Sequence, residues 1–471
     1  MSDQDLTKKI DTYFASLPIR LESTVEINIP NAPVRIYKGL ANIRYDCKSI
    51  ECAIEILFKW QPRRGVEFFI EDDRPEVSNM FMRQMVDSST VQFLIDGFEF
   101  GQVLPTNANE SDNKYVISGL INPPVQQYNK LSTRTTKYDK IVFHLFNFVN
   151  IHGSPVRKAN QKSSSLARLH FPAQHFDIVV DCILNNQTEW GEISKHGGYG
   201  LTHVGELILK DNAKIDQDIA YKILNQFDLF LSFLTGRKVT PFFMTGKRGD
   251  EILWVEYNNR RQEPYMYQHS WLPQLFDEKI SAIWAEFYQL AQDNYDLDTL
   301  YLVIHWYLSA NKGSGGLEGS IILLQNAFEL LFRWIIVERK NMISPDGGDA
   351  LRASDKIRML LYLINCSTEL PTHYQKQFED LIKQDRSLID FPFLFTEIRN
   401  SYVHANRKKR EKINNLPSDY LYAMLTCGLY YIELLILYLL NYDGKIAQRI
   451  STEKFRGGNE VLVPWNKSVE K

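Results

Sequence analysis

The chain has 471 residues, 44% of them apolar, 24% charged and 13% aromatic, and a formal net charge of -3. That length exceeds what one hydrophobic core usually supports and predicts at least two domains, while the apolar and aromatic content excludes extended disorder. The near-neutral balance excludes a uniformly basic nucleic-acid coat, so any basic surface must be local.

The first residues, MSDQDLTKKIDTYFASLPIRLE, are polar and lack the apolar stretch of a secretory signal. Five cysteines (Cys47, Cys52, Cys182, Cys366, Cys427) are odd in number and free of CxxC spacing, which suits a reducing compartment. The expected location is cytoplasmic. VEFFIEDD (66–73), VQFLIDGFEFGQV (91–103), KIVFHLFNFVNI (140–151) and FDIVVDCIL (176–184) are rich in Val, Ile and Phe and bounded by turn residues, so they predict strands. Asp96-Gly97 is a two-residue hairpin signal, because both central positions of a type I′ turn need positive φ. The acidic run Glu71-Asp72-Asp73 reads as a solvated loop, since adjacent carboxylates repel.

HGGYG (196–200) lacks GxGxxG spacing and reads as a turn. His175, His196 and His203 could meet Asp181 around a metal, but none sits at HxH or HExxH spacing, so neither a metal nor another cofactor is expected. The period changes at KIDQDIAYKILNQFDLFLSFLTG (214–236), where helical spacing ends at Gly236, a C-terminal cap. PFFMTG (241–246) and EILWVEY (251–257) follow as a strand pair joined by KRGD. GKRGDE (246–251) is not a P-loop: the required glycine is Pro241, and Arg248 replaces the magnesium-binding Ser or Thr.

From about residue 270 the spacing is helical, over 272–293, 298–310, 317–340, 354–365 (N-cap Ser354 or Asp355), 372–384, 388–406 and 417–441. The fold class expected is α+β multidomain. A β-rich N-terminal domain (1–265) precedes an all-α bundle (266–445) and a polar tail (446–471). Tyr420–Leu440 is an apolar run long enough to cross a bilayer, yet Glu433 inside it is costly there. A last helix buried on most sides by other helices or by a second subunit is preferred, with a membrane span as the alternative.

RNSYVHANRKKR (399–410) concentrates charge: from Arg399 to Lys412 there are six Lys or Arg against Glu411 alone. Arg399 and His404 lie about 140° apart on a helix and flank one surface, whereas Asn400 and His404, at i and i+4, share a face. These types suit phosphate chemistry. A histidine moves protons near neutral pH, and a guanidinium grips phosphate and stabilises charge in a pentavalent transition state. Alone, Arg-x4-His is a common accident of sequence.

RNSYVHA resembles the Arg-polar-x3-His motif of the HEPN superfamily (higher eukaryotes and prokaryotes nucleotide-binding). Upstream, HWYLSANKGSGGLEGSIILLQNAFELLF (305–332) is similar to the entry helices of its ApeA-like branch, linked to abortive phage infection. GLTHVGELIL (200–209), FLSFLTGRKVTPF (230–242) and Ser270-Trp271 are similar to the regions that precede such domains, the ApeA N-terminal region. The likeness covers about residues 270–445 and implies a helical bundle that pairs as a homodimer. It implies a metal-independent endoribonuclease whose composite site is built from Arg399, Asn400 and His404 of two subunits. It also implies an inward glutamate near the site, Glu329, with Glu318 at the helix start as a second candidate.

On that reading Arg407, Lys408, Lys409 and Arg410 extend an RNA-binding surface, and the front domain senses a phage or stress-signal ligand. Two other readings stay open: a non-catalytic RNA- or nucleotide-binding HEPN protein, and an interaction scaffold.

Overall fold

The computed structural model describes residues 3–466 apart from 26–28, 46–47, 88–90, 96–97, 101–102, 112–113, 123–124, 129–132, 160–162, 185–186, 259, 385–389, 404–416 and 454–456. It divides into two compact units: Met1–Asn225 with Val239–Met266, and Gln226–Lys238 with Tyr267–Lys471.

In the first unit, helix α1 (Asp3–Ser16) precedes strands β1 (Val34–Tyr45), β2 (Lys48–Lys59), β3 (Gly65–Asp72), β4 (Val91–Ile95), β5 (Phe98–Phe100), β6 (Val103–Ser111) and β7 (Lys114–Ile121). These strands form an antiparallel sheet of order β5-β4-β1-β2-β3-β7-β6, with helix α2 (Pro75–Asp87) inserted after β3. Alternation of buried and exposed residues along β2 sends Cys52, Ile54, Ile56 and Phe58 to the core. The hairpin turn expected at Asp96-Gly97 lies outside the described residues, but its flanks pair antiparallel, Ile95 opposite Phe98. Glu71 and Asp72 belong to β3, not to a loop. Their mutual repulsion is relieved by cations: Asp72 meets Arg74 at 2.6 Å and Glu71 meets Lys114 at 2.5 Å.

A second antiparallel sheet contains β8 (Val125–Tyr128), β9 (Lys140–Phe146), β10 (Ser154–Arg157), β11 (Ser164–Pro172), β12 (Phe176–Cys182), β13 (Leu201–Leu209), β14 (Pro241–Arg248) and β15 (Glu251–Tyr257), in the order β10-β11-β12-β13-β9-β14-β15-β8. Helix α3 (Gln187–His196) leads into the HGGYG turn, where Gly197 and Gly198 have φ of 65° and 81°. A Cβ on Gly198 would strike Asn31, whose Oδ1 accepts from the Tyr199 amide at 2.7 Å, so only glycine fits. The two sheets share an aromatic core in which the Trp60 ring lies 4.4 Å from Phe146 and stacks on Tyr199 at 4.5 Å. Helix α4 (Gln217–Thr235) ends at Gly236, whose φ of 68° is the left-handed conformation a C-terminal cap needs.

The second unit is helical: α5 (Glu278–Leu290), α6 (Asn294–Asn311), α7 (Gly316–Leu331) continuing as a π-helical segment Phe332–Arg339, α8 (Pro345–Ala350), α9 (Ala353–Leu363), α10 (Thr372–Gln384), α11 (Phe391–Val403) and α12 (Ser418–Leu439). Helix α9 begins at Ala353 with Arg352 at the cap position and no side-chain cap bond. The expected cap Asp355 is instead engaged by Arg358. Every residue from Ala423 to Leu437 of α12 is buried. Among the described residues two helical stretches, Gly316–Arg339 and Ser418–Leu439, are long and apolar enough to cross a bilayer, and in each most of the apolar stretch is buried inside the protein.

After α12 the chain folds back over the bundle. A short hairpin of β16 (Lys445–Ala447) and β17 (Glu460–Leu462) follows, Ala447 N donates to Trp271 O at 2.7 Å, and Arg449 enters the interior. The chain is thus α+β multidomain, a β-rich N-terminal region with two antiparallel sheets followed by a largely helical C-terminal region.

Candidate functional site

Helix α11 carries the first half of the Arg-x4-His motif. Its start is fixed by Asp390, whose Oδ1 accepts from the Phe393 amide at 3.0 Å in the N-cap position. The same carboxylate takes a forked pair of bonds from Arg358 on α9, at 2.7 and 2.9 Å. One acid therefore caps the motif helix and ties it to its neighbour. The bond to Asp390 is the leading cause that raises the Arg358 pKa above its ordinary value.

Helices α7 and α11 lie side by side and run in opposite directions. Phe328 packs on Phe395 at 5.6 Å and on Phe391 at 6.4 Å. At the other end, burial and then the Glu318 carboxylate push the Tyr402 phenol up. Gly428 of α12 lets the three helices meet: a Cβ there would stand 2.9 Å from Leu324 and 3.1 Å from Phe395.

Arg399 and Asn400, both half-buried, follow from this frame two turns beyond Phe391. Arg399 Nη1 donates to Asn400 Oδ1 at 3.1 Å, while its Nε is enclosed and has no hydrogen-bond partner among the described residues. Ser401 donates back to Glu397 O at 2.9 Å and so faces its own helix. His404 lies outside the described residues, as do Arg407, Lys408, Lys409 and Arg410.

The structure separates the two glutamates. Glu318 is level with Tyr402, within a turn of Arg399. Glu329, adjacent to Phe328, is level with Phe391 and Phe395, so it stands roughly 6 to 12 Å from Arg399 along the helix axis at 1.5 Å per residue. Glu329 instead accepts from Gln325 at 3.0 Å and lines a groove with Trp306, Arg333 and Lys356. The Asp390–Arg358 fork had a readable signal, an Asp before the apolar run FPFLF with Pro two positions on, which marks a helix start.

The histidines weighed for a metal are dispersed. His203 is fully buried between Phe148 and Trp190, at ring distances of 4.9 and 6.2 Å. His196 pairs with Glu192 at 3.1 Å, and Asp181 receives Arg168 at 2.7 Å. Among the described residues no cluster of three or more His, Cys, Asp or Glu is placed to hold a metal ion.

What this arrangement offers is a guanidinium whose remaining donors have no protein acceptor among the described residues, held on a capped helix inside a bundle. Such a group can take a phosphate.

Residues 133–268 match the model of the YopA central domain, and residues 293–460 match that of the YopA C-terminal domain. The SPbeta prophage-derived uncharacterized protein YopA of Bacillus subtilis (strain 168) is 26% identical over 452 residues, covering 95% of this chain and 98% of that protein. No solved structure matches the chain.

Proposed function

We propose that this YopA-family chain is a metal-independent HEPN-type endoribonuclease acting in the cytoplasm as a homodimer in anti-phage defence. The observation that carries the reading is the Arg399 guanidinium. It sits on α11 five positions before His404, with Nη1 on Asn400 and Nε enclosed without a partner among the described residues. An enclosed donor left unpaired is costly, and a ligand oxyanion supplies the missing acceptor.

In this mechanism the ribose 2′-oxygen attacks phosphorus while a histidine takes its proton. The bond from phosphorus to the 5′-oxygen breaks, and that oxygen leaves with a proton from a histidine, giving a 2′,3′-cyclic phosphate and a 5′-hydroxyl. Arg399 offsets the charge that gathers on the phosphoryl oxygens. His404 serves as base or acid, and two motifs facing one another across a subunit interface divide the roles. Asn400 holds Arg399 through its side-chain oxygen. The cluster Arg407, Lys408, Lys409 and Arg410 extends the contact along the RNA backbone.

The prophage origin of the similar protein supports the defence role, since a resident prophage gains when its host is halted before a second phage multiplies. On this proposal the β-rich region senses the invader or a stress signal and restrains the nuclease. The test is induced expression of wild type and His404→Ala, following growth and total RNA with and without EDTA. RNA fragmentation and growth arrest are expected with wild type alone and are unaffected by EDTA. RNA binding without cleavage in resting and infected cells would return the chain to a non-catalytic role.

A further inference from the structure

The structure assigns Glu329 to a second site, a groove of about 390 Å³ on the helical unit, for which we propose a free α-amino acid with an apolar side chain as ligand. The groove is lined by Trp306 of α6, by Asn326, Glu329 and Leu330 of α7, by Phe332 and Arg333 of the π-helical segment, by Asp349 of α8 and by Lys356 of α9. It rests on these helices alone and stands whether or not Arg399 acts on RNA.

Three observations point to a ligand. The helix changes from α to π geometry at Phe332, on the groove wall, and a π-helical stretch is a rare conformation that recurs at functional sites. That segment is fastened on its other side: Trp334 Nε1 and Arg339 Nη1 each donate to Asp296 at 2.8 Å, and Tyr295 donates to Glu338 at 2.9 Å. Half-buried Lys356 makes no ion pair among the described residues; its ammonium stands 5.6 Å from the centre of the Phe332 ring. Finally, fully buried Gln325 spends its amide donor on Glu329 at 3.0 Å, which fixes the Glu329 carboxylate at the groove, and its own Oε1 has no partner among the described residues.

Charge selects the ligand class. Glu329 and Asp349 balance Arg333 and Lys356, and Arg333 is already bound to Glu338 at 3.3 Å and Asp349 at 3.2 Å. That leaves the Glu329 carboxylate and the Lys356 ammonium outside any ion pair among the described residues, and not within 4.0 Å of each other. An anion such as a nucleotide would satisfy Lys356 and be repelled by Glu329. A zwitterion satisfies both, its carboxylate toward Lys356 and its ammonium toward Glu329, with Trp306, Leu330 and Phe332 against an apolar side chain.

The experiment is calorimetric titration of the full chain with L-leucine and L-phenylalanine. Phenethylamine, which lacks the carboxylate, and 3-phenylpropionate, which lacks the ammonium, serve as controls. Saturable binding of the amino acids is expected, with each control weaker by about tenfold or more. Lys356→Gln is expected to weaken phenylalanine by a similar factor while leaving phenethylamine unchanged, and Glu329→Gln to do the converse with 3-phenylpropionate. Arg399→Ala should leave binding intact. Absence of saturable binding up to about 10 mM, far into the weak range, would overturn the assignment. So would controls that bind as well as the amino acids, or a preference for a nucleoside monophosphate; the ligand controls read the site even if a variant fails to fold.

Discussion

The carboxylate of Glu433 and the guanidinium of Arg449 meet at 2.6 Å, with side chains 0% and 7% exposed. Tyr307 adds a hydroxyl to the same carboxylate at 2.6 Å, and Arg449 bonds His269 O at 2.7 Å and Asn311 Oδ1 at 3.1 Å. Burial opposes the charge on Arg449, but Glu433 and Tyr307 outweigh it and raise its pKa. The one acid within the apolar run 420–440 is thus matched by a base from the segment that folds back after it.

Removing one partner strands the other. Arg449→Met is expected to destabilise the helical unit by roughly 3 to 5 kcal/mol, because an uncompensated carboxylate stays buried. Glu433→Leu combined with Arg449→Met should recover most of that loss. Urea denaturation followed by far-UV circular dichroism measures both; a single variant within about 1 kcal/mol of wild type would contradict the role given to the pair.

The Asp390 cap positions the motif helix. Asp390→Ala is expected to cost about 1 to 2 kcal/mol from the cap and to speed amide exchange through the first turn of α11. Asp390→Asn keeps the cap oxygen and should lose only the charged fork to Arg358. Equal exchange in both variants would show that the fork, not the cap, sets the helix start.

Acid should weaken the β-rich unit through its buried imidazoles. Burial lowers His203 to about 3 and His144 to about 4. The unfolded chain binds those protons near pH 6.5 and the folded one does not, so stability is full above about 6.5 and falls as the pH drops toward 4. Each histidine contributes a slope of at most about 1.4 kcal/mol per pH unit. His203→Phe, between Phe148 and Trp190, should flatten the profile between pH 6.5 and 4; an unchanged slope would mean that His203 already titrates in the folded state.

The basic cluster predicts a salt effect. If Arg407, Lys408 and Arg410 each contact an RNA phosphate, replacing all three by Gln should reduce the slope of log affinity against log salt by roughly 2, at about 0.7 per contact for a single strand. Filter binding across a salt series reads this directly. An unchanged slope would remove the cluster from the RNA surface.

Much of the architecture was legible in the sequence, where period and packing agree. The Val, Ile and Phe runs gave strands β3, β9 and β12, and Gly236 ended α4 as expected, because a positive φ at that position favours glycine. What sequence could not supply were distances. Glu329 and Glu318 sit on one helix, and the resemblance put Glu329 first; only the antiparallel pairing of α7 with α11 sets Glu318 nearer Arg399 than Glu329. The order of residues after 446 was equally hidden, since it depends on Arg449 reaching a carboxylate sixteen positions back. The break into π geometry at Phe332 left no mark in the hydrophobic period, which continues through it.

The decisive measurement is the chemistry of RNA ends. Purified full-length protein, incubated in EDTA with a defined single-stranded RNA, should yield 2′,3′-cyclic phosphate and 5′-hydroxyl termini. Arg399→Ala and His404→Ala should each lower the rate about a hundredfold or more at unchanged melting temperature. Cleavage that requires a divalent cation, ends bearing 5′-phosphate, or full activity in the His404→Ala protein would contradict the assignment of Arg399 and His404 to phosphoryl transfer.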